Sequence, residues 1–154
     1  MKAKDLQTSD VQTCTPDTNL ATAAQIMWEC DCGVVPVVDE DRRLLGMITD
    51  RDICIATATR SAAPADIQVR SVMTTGTVYS CRPDDDVRNV LSTMGKYRVR
   101  RLPVVDRDAR IVGIVSLNDL VRHADYRSGA EVPGAEFLEA LQAISMPAVE
   151  HSHA

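Results

Sequence analysis

Apolar positions along the chain follow two periods, and the same alternation of periods occurs twice. Leu20, Ala23, Ala24 and Met27 recur at helical spacing, as do Val87, Val90, Leu91 and Met94. Each stripe is followed by a short, nearly all-apolar run, 34–38 and 102–105. A continuous run of that length predicts a strand covered on both faces. A charged turn comes next, 39–43 and 106–110, then a second apolar strand, 44–48 and 111–115. Thr49 and Ser116 then stand as hydroxyl N-caps of a second helix. Ahead of each stripe, a polar and β-branched run (10–15 and 77–81) predicts a first strand. Pro16-Asp17 and Pro83-Asp84 open the first helix, because proline suits the first helical turn and aspartate the positive end of the dipole. Each unit reads β-α-β-β-α, and the fold class is α/β (α+β).

The two units align without a gap at an offset of 67 residues. From Cys14 to Ile53, 12 of 40 positions are identical to their partners, where average compositions would give about two or three. The matches include Pro36-Val37-Val38-Asp39 with Pro103-Val104-Val105-Asp106, Gly46 with Gly113, and Asp52 with Asp119. Duplicated units tend to pack about a pseudo-two-fold axis, which predicts two related clefts. The chain divides into repeat one with its connector (1–67), repeat two (68–125), and a linker, short helix and frayed tail (126–154). The connector over 57–67 reads as a helix end plus a loop, and 69–73 leads into repeat two. In the C-terminal part, 126–134 reads as a linker. Residues 135–144 form an amphipathic helix with Phe137, Leu138, Leu141 and Ile144 on one side, expected to dock on the body or on a partner subunit.

Composition narrows the function classes. The 154 residues fit one compact domain or two small halves, with an aliphatic core, since there is one Phe and one Trp. A net charge of −5 argues against general binding of nucleic acid or anionic membranes, which needs a positive field. No run approaches the roughly 20 apolar residues of a membrane span. Residues 1–10 are polar and carry no apolar signal region, so a cytoplasmic protein is expected. Its five cysteines are then expected to be reduced.

The sharpest motif is Gly46-Met47-Ile48-Thr49-Asp50-Arg51-Asp52, echoed by Gly113-Ile114-Val115-Ser116-Leu117-Asn118-Asp119. A hydroxyl at a helix N-terminus sits among free backbone N–H groups that favour an anion such as phosphate. An Asp three residues on faces the same side and offers a carboxylate to a ribose diol. The same spacing also writes a capping box, but its repetition at one register after matching strands favours the ligand reading.

With these motifs and the Pro-Asp and Pro-Val-Val-Asp segments, the chain resembles a tandem pair of CBS domains, the Bateman module, over residues 1 to about 125. The resemblance implies a compact α/β module with two clefts that binds adenosine nucleotides such as AMP, ADP or ATP and dimerises. It implies Thr49 or Ser116 on phosphate, Asp52 or Asp119 on ribose, and backbone near Thr13, Ser80, Val35 and Leu102 flanking adenine.

The repeats differ just before the Pro-containing strand. Repeat two has Lys96-Tyr97-Arg98-Val99-Arg100-Arg101 where repeat one has Glu29-Cys30-Asp31-Cys32-Gly33-Val34. In the family, basic residues here often touch ligand phosphate, and the planar guanidinium suits phosphate bidentately. The cleft with Ser116, Asp119, Arg100 and Arg101 is therefore expected to take the more charged ligand. The competing reading pairs these arginines with Asp84, Asp85 or Asp86. Cys30-x-Cys32 is read as buried thiols and not as a metal site, since no second Cys pair or nearby His follows at zinc spacing. There is no nucleophile elbow, no Walker A loop and no His within the aligned repeats, so no catalytic residue and no required cofactor are assigned. The expected function is regulatory: a nucleotide sensor acting through a homodimer or an unidentified protein partner. Two rivals stay open, a ligand-free interaction scaffold and a thiol- or metal-responsive protein using Cys30 and Cys32.

Overall fold

The computed structural model describes residues 1–125 and 132–146, so the tail over 147–154 and most of the expected linker lie outside the described residues. The chain runs α1 (Ala3–Leu6), α2 (Leu20–Glu29), β1 (Val34–Val38), β2 (Leu44–Thr49), α3 (Asp50–Arg60), α4 (Val87–Tyr97), β3 (Arg101–Val105), β4 (Ile111–Ser116), α5 (Leu117–His123), β5 (Ala124–Asp125), β6 (Val132–Pro133) and α6 (Gly134–Ser145). Single 3₁₀ turns at Pro64–Asp66 and Val69–Ser71 follow α3. The result is a mixed α+β chain in two compact units. One holds Ser9–Val78 with Val105–Val112; the other holds Met1–Thr8, Tyr79–Val104 and the described residues from Gly113 on.

In the repeat-one unit, β1 and β2 pair antiparallel, with Val34 opposite Thr49 and Val35 opposite Ile48. All five β1 residues are buried, as an all-apolar strand requires. The expected first strand is only a one-residue bridge, Cys14 to Val37, because residues 10–13 make no ladder with β1. The same holds for Cys81 and Val104 in the other unit. The Pro-Asp pairs also differ from expectation. Pro16-Asp17 is the centre of a turn closed by Thr18 N–H to Thr15 O at 3.1 Å, and Pro83-Asp84 of one closed by Asp85 N–H to Arg82 O at 3.1 Å. Proline's fixed φ suits the second position of such a turn as well as a helix start. The helices begin three or four residues later, where a side chain can satisfy free N–H groups. Asn19 accepts from Thr22 N–H at 2.8 Å and caps α2, and Asp86 accepts from Arg88 N–H at 2.9 Å at the start of α4. Removing the first cap, Asn19→Ala, is expected to cost about 1 kcal/mol in chemical denaturation.

The hairpin turns repeat atom for atom. Asp39 Oδ1 accepts from the N–H groups of Asp41 and Arg43, and Asp106 Oδ1 from those of Asp108 and Arg110. Arg42 and Ala109, one register apart, both take a left-handed φ of 63°. The repeat-one core joins Leu20, Ala23, Met27, Val37, Ile48 and Ile53.

In the repeat-two unit, Val87, Val90, Leu91 and Met94 of α4 are buried, and α6 packs along this helix. Gly95 permits the approach, since a Cβ there would meet Ala140 Cα at 3.3 Å. The buried face of α6 is Phe137, Ala140 and Ile144, while Leu138 and Leu141 are exposed. The apolar periodicity of the sequence predicts Leu138 and Leu141 on the docking side. The small Ala140 fits against Gly95 in their place, which turns the helix by part of a turn. Met27 and Met94 are both buried within the chain, so the stripes they belong to serve its own core. Residues 1–8 are tied down in this unit. Ala3 N–H donates to Asp85 O at 2.9 Å, Thr8 and Ile114 exchange two hydrogen bonds, and Lys2 and Lys4 both pair with Asp84. Among the described residues no helix is long and apolar enough to cross a membrane.

Candidate functional site

Both hydroxyl–Asp motifs fold as expected at the strand-to-helix junction, and both form complete capping boxes. Thr49 Oγ1 accepts from Asp52 N–H at 3.1 Å, and Asp52 Oδ2 accepts from Thr49 N–H at 2.9 Å. In repeat two, Ser116 Oγ accepts from Asp119 N–H at 3.3 Å. Asp119 Oδ2 takes both the Ser116 N–H at 2.8 Å and the Ser116 hydroxyl at 2.6 Å. These bonds engage one carboxylate oxygen of each Asp. Oδ1 of Asp52 has no hydrogen-bond partner among the described residues, and Oδ1 of Asp119 lies 3.5 Å from Arg122 Nη2. Asp119 is nearly buried, with 14% of its side chain exposed, so that oxygen sits where solvent screening is weak.

The neighbours of each box come from adjacent strands. Val35 lies beside the Val34–Thr49 pair, and Thr13 precedes Cys14, whose N–H donates to Pro36 O at 3.0 Å. Ser80 likewise precedes Cys81, whose N–H donates to Pro103 O at 3.0 Å, next to Leu102. Val35 and Leu102 are buried, so only their backbones remain for a ligand. Ser80 is exposed and Thr13 half-buried.

The units differ in where open space lies. In the repeat-two unit, Arg100, Arg101 and Ser116 line one cavity of about 470 Å³. Leu117 and Val121 of α5 and Phe137 and Leu141 of α6 complete its apolar side. Asp119, Ser80 and Leu102 are not on its lining. In the repeat-one unit, the cavity of about 530 Å³ is lined by Met27, Trp28, Cys32, Gly33, Asp50 and Ile53, among others. Thr49, Asp52, Thr13 and Val35 do not line it. Sequence reasoning missed Phe137 and Leu141 as cavity residues. Their i, i+4 spacing marked one face of a helix but not what that face overlooks.

The arginines are not neutralised by the nearby acids. Asp84 pairs with Lys2 and Lys4, Asp85 accepts from Arg82 N–H, and Asp86 accepts from Arg88 N–H. Lys4, then Lys2, holds the Asp84 carboxyl below its ordinary value. Neither Arg100 nor Arg101 forms an ion pair with a described residue.

The thiols divide into two kinds. Burial pushes the Cys14 thiol up to about 11 and, with Asp85 adding to it, the Cys81 thiol up to about 12. Cys30 is exposed where buried thiols were expected, and Cys32 is half-buried, its thiol donating to Val34 O at 3.4 Å. Cys30 sits at the C-terminal cap of α2, where the chain turns outward before β1. Its thiol is raised too, by desolvation and then by Cys32, Glu29 and Asp10, which disfavours the reactive thiolate. Iodoacetamide at neutral pH is expected to label the exposed Cys30 and Cys54 and leave Cys14 and Cys81 unmodified, read by mass spectrometry. The folded state holds its Cys14 and Cys81 protons above the ordinary value of 9.0. Their contribution to stability is thus present in full below pH about 9 and lost as pH rises toward 11–12. Denaturant midpoints should fall between pH 8 and pH 10.5, and less so in Cys81→Ala. Among the described residues no group of three or more His, Cys, Asp or Glu is placed to hold a metal ion.

Known proteins are similar to this chain in sequence and in fold. The profile of the family described as CBS domain matches residues 3–58 and again 69–126. The protein YlbB of Bacillus subtilis is 38% identical over 120 residues, covering 77% of this chain and 79% of YlbB. Hypoxic response protein 1 of Mycobacterium tuberculosis is 33% identical over 121 residues, 79% of this chain and 83% of that one. Among solved structures, the CBS domain pair of protein MJ0100, in complex with 5′-methylthioadenosine and S-adenosyl-L-methionine, superposes with a TM-score of 0.71 at 31% identity. It covers 79% of this chain and 98% of its own. With both repeats matched, and with relatives more than 30% identical covered over more than three-quarters of their own length, the chain belongs to the CBS-domain family, as a tandem pair.

Proposed function

We propose that this CBS pair is a regulatory module that binds an adenine nucleotide, AMP, ADP or ATP, with its main site in the repeat-two unit. The observation that carries this reading is the pair of guanidiniums, Arg100 and Arg101, un-neutralised by any described acid and sharing a cavity with Ser116. Two positive charges beside a hydroxyl favour a polyanion, and arginine's fork suits phosphate oxygens in particular. Ser80, Leu102 and Asp119 lie off the lining of that cavity; in this reading the nucleoside extends beyond it, with backbone near Ser80 and Leu102 flanking the base and Asp119 Oδ1 turning from Arg122 to the ribose. In the repeat-one unit Thr49 and Asp52, with backbone near Thr13 and Val35, would serve a second, less charged ligand. The adenosine compounds bound by the MJ0100 pair support an adenosine ligand.

In this reading the protein acts in the cytoplasm, catalyses nothing and requires no cofactor. Its output is a shift between two states of a homodimer or of a complex with a protein partner, driven by a ligand's unequal affinity for them. Trp28, 84% exposed at the rim of the repeat-one groove, supports a protein-facing surface. A second reading, a ligand-free interaction module, is favoured by the completed capping boxes, which already engage Thr49, Asp52, Ser116 and Asp119. A melting panel with AMP, ADP, ATP, S-adenosylmethionine and NADH separates the two. A ligand at about 100 times its Kd adds roughly 2.7 kcal/mol to stability, a rise of several degrees. Flat curves with all five would support the interaction module.

A further inference from the structure

The helix that walls the repeat-two cavity is not part of either CBS match. Those matches end at residue 126, and α6 spans Gly134–Ser145. It is nonetheless integrated into the unit. Phe137, Ala140 and Ile144 are buried, and Gly95 lets α6 approach α4 closely. Glu136 lies 3.7 Å from Arg88 at the start of α4. Phe137 and Leu141, one turn apart, reach the cavity that holds Arg100, Arg101 and Ser116.

We infer that α6 is a working part of the repeat-two ligand site, with Phe137 and Leu141 as its apolar wall and affinity-determining residues. The inference rests on the nucleotide reading above and extends it to how the site is regulated. An apolar wall beside two guanidiniums displaces water and lowers the local dielectric, so each arginine holds a phosphate more strongly than it would in an open groove. Ligand binding and α6 docking then stabilise each other by the same factor, as linkage requires. Undocking α6 would weaken the ligand, and the ligand would hold α6 down.

Among the described residues of the repeat-one unit, no helix packs along α2 as α6 packs along α4. Trp28 stands at the register position of Gly95, and a bulky side chain there blocks a helix approach of the kind Ala140 makes. Its homologous groove is open, with Trp28 on the rim.

The test uses the full chain and ATP, titrated calorimetrically. Leu141→Ala removes part of the wall at a position that is 37% exposed, so the fold is retained. Leu138→Ala is the control, since Leu138 is 46% exposed on the same helix and does not line the cavity. Leu141→Ala is expected to weaken ATP roughly three- to ten-fold, as loss of an apolar contact of this size does, and Leu138→Ala to leave it within two-fold. Hydrogen exchange of α6 amides should slow on adding ATP. If ATP binds the natural chain, loses affinity in Arg100→Ala/Arg101→Ala, and is unaffected by Leu141→Ala with no change in α6 exchange, the inference is overturned and the nucleotide reading stands. If ATP does not bind but AMP or ADP does, the same titrations are read with that nucleotide; if none of the three binds the natural chain, the nucleotide reading fails and the inference with it.

Discussion

Gly46→Ala is expected to destabilise the protein by about 2–3 kcal/mol, at the upper end for overpacking a tight site, and to lower the melting temperature by roughly 6–10 °C. An added Cβ at Gly46 would lie 2.4 Å from the carbonyl oxygen of Thr74. That carbonyl cannot swing aside freely, because the Thr74 N–H is bonded to Met47 O at 2.9 Å and the segment bridges to β2. The matching Gly113→Ala is expected to cost much less. There the nearest atoms are the Cδ, Oε1 and Nε2 of Gln7, at 2.5–2.9 Å, the far end of a flexible side chain. Thermal melts of the two variants side by side check the contrast; equal losses would mean the glycines serve some need other than close backbone approach. In the sequence both glycines looked like parts of a ligand motif. In the structure each marks where a neighbouring segment crosses the strand, residues 73–74 in one unit and 7–8 in the other.

Replacing both cavity arginines, Arg100→Ala/Arg101→Ala, is expected to weaken nucleotide binding at least 100-fold. Charge-assisted hydrogen bonds contribute about 1.5–3 kcal/mol each, and two lost together exceed the roughly 2.7 kcal/mol that corresponds to that factor. Stability in the absence of ligand should barely change, since both residues are exposed and pair with no described acid. The affinity of the natural chain should also fall as salt is raised, and that of the double variant much less. Titration calorimetry at two ionic strengths reads both effects. A double variant that binds as tightly as the natural chain would remove the repeat-two cavity from the account.

Much of the fold was legible because the repeat supplied each pattern twice. The all-apolar runs predicted β1 and β3 to within a residue, and Thr49 and Ser116 were correctly read as N-caps. What misled was local chemistry that fits more than one structure. Pro-Asp suits a helix start and a turn centre equally, and only the Asn19 and Asp86 caps fix which one forms. The runs before the helices have strand composition but no partner beyond one bridge. Leu138 and Leu141 fit an apolar stripe, yet the face α6 buries is set by Ala140 meeting Gly95, a contact between residues 45 apart that no local periodicity encodes. At the site, the basic run before β3 pointed to Arg100 and Arg101. Its possible acid partner Asp84 is taken by Lys2 and Lys4, because the fold brings residues 1–8 to that turn, a long-range contact that no local pattern encodes.

The most direct test of the central claim is a crystal structure of the full chain grown with ATP at millimolar concentration. The phosphates are expected in the repeat-two cavity, with oxygens about 2.7–2.9 Å from guanidinium nitrogens of Arg100 or Arg101. Well-ordered crystals with that cavity free of nucleotide, or with ATP bound only elsewhere on the chain, would contradict it.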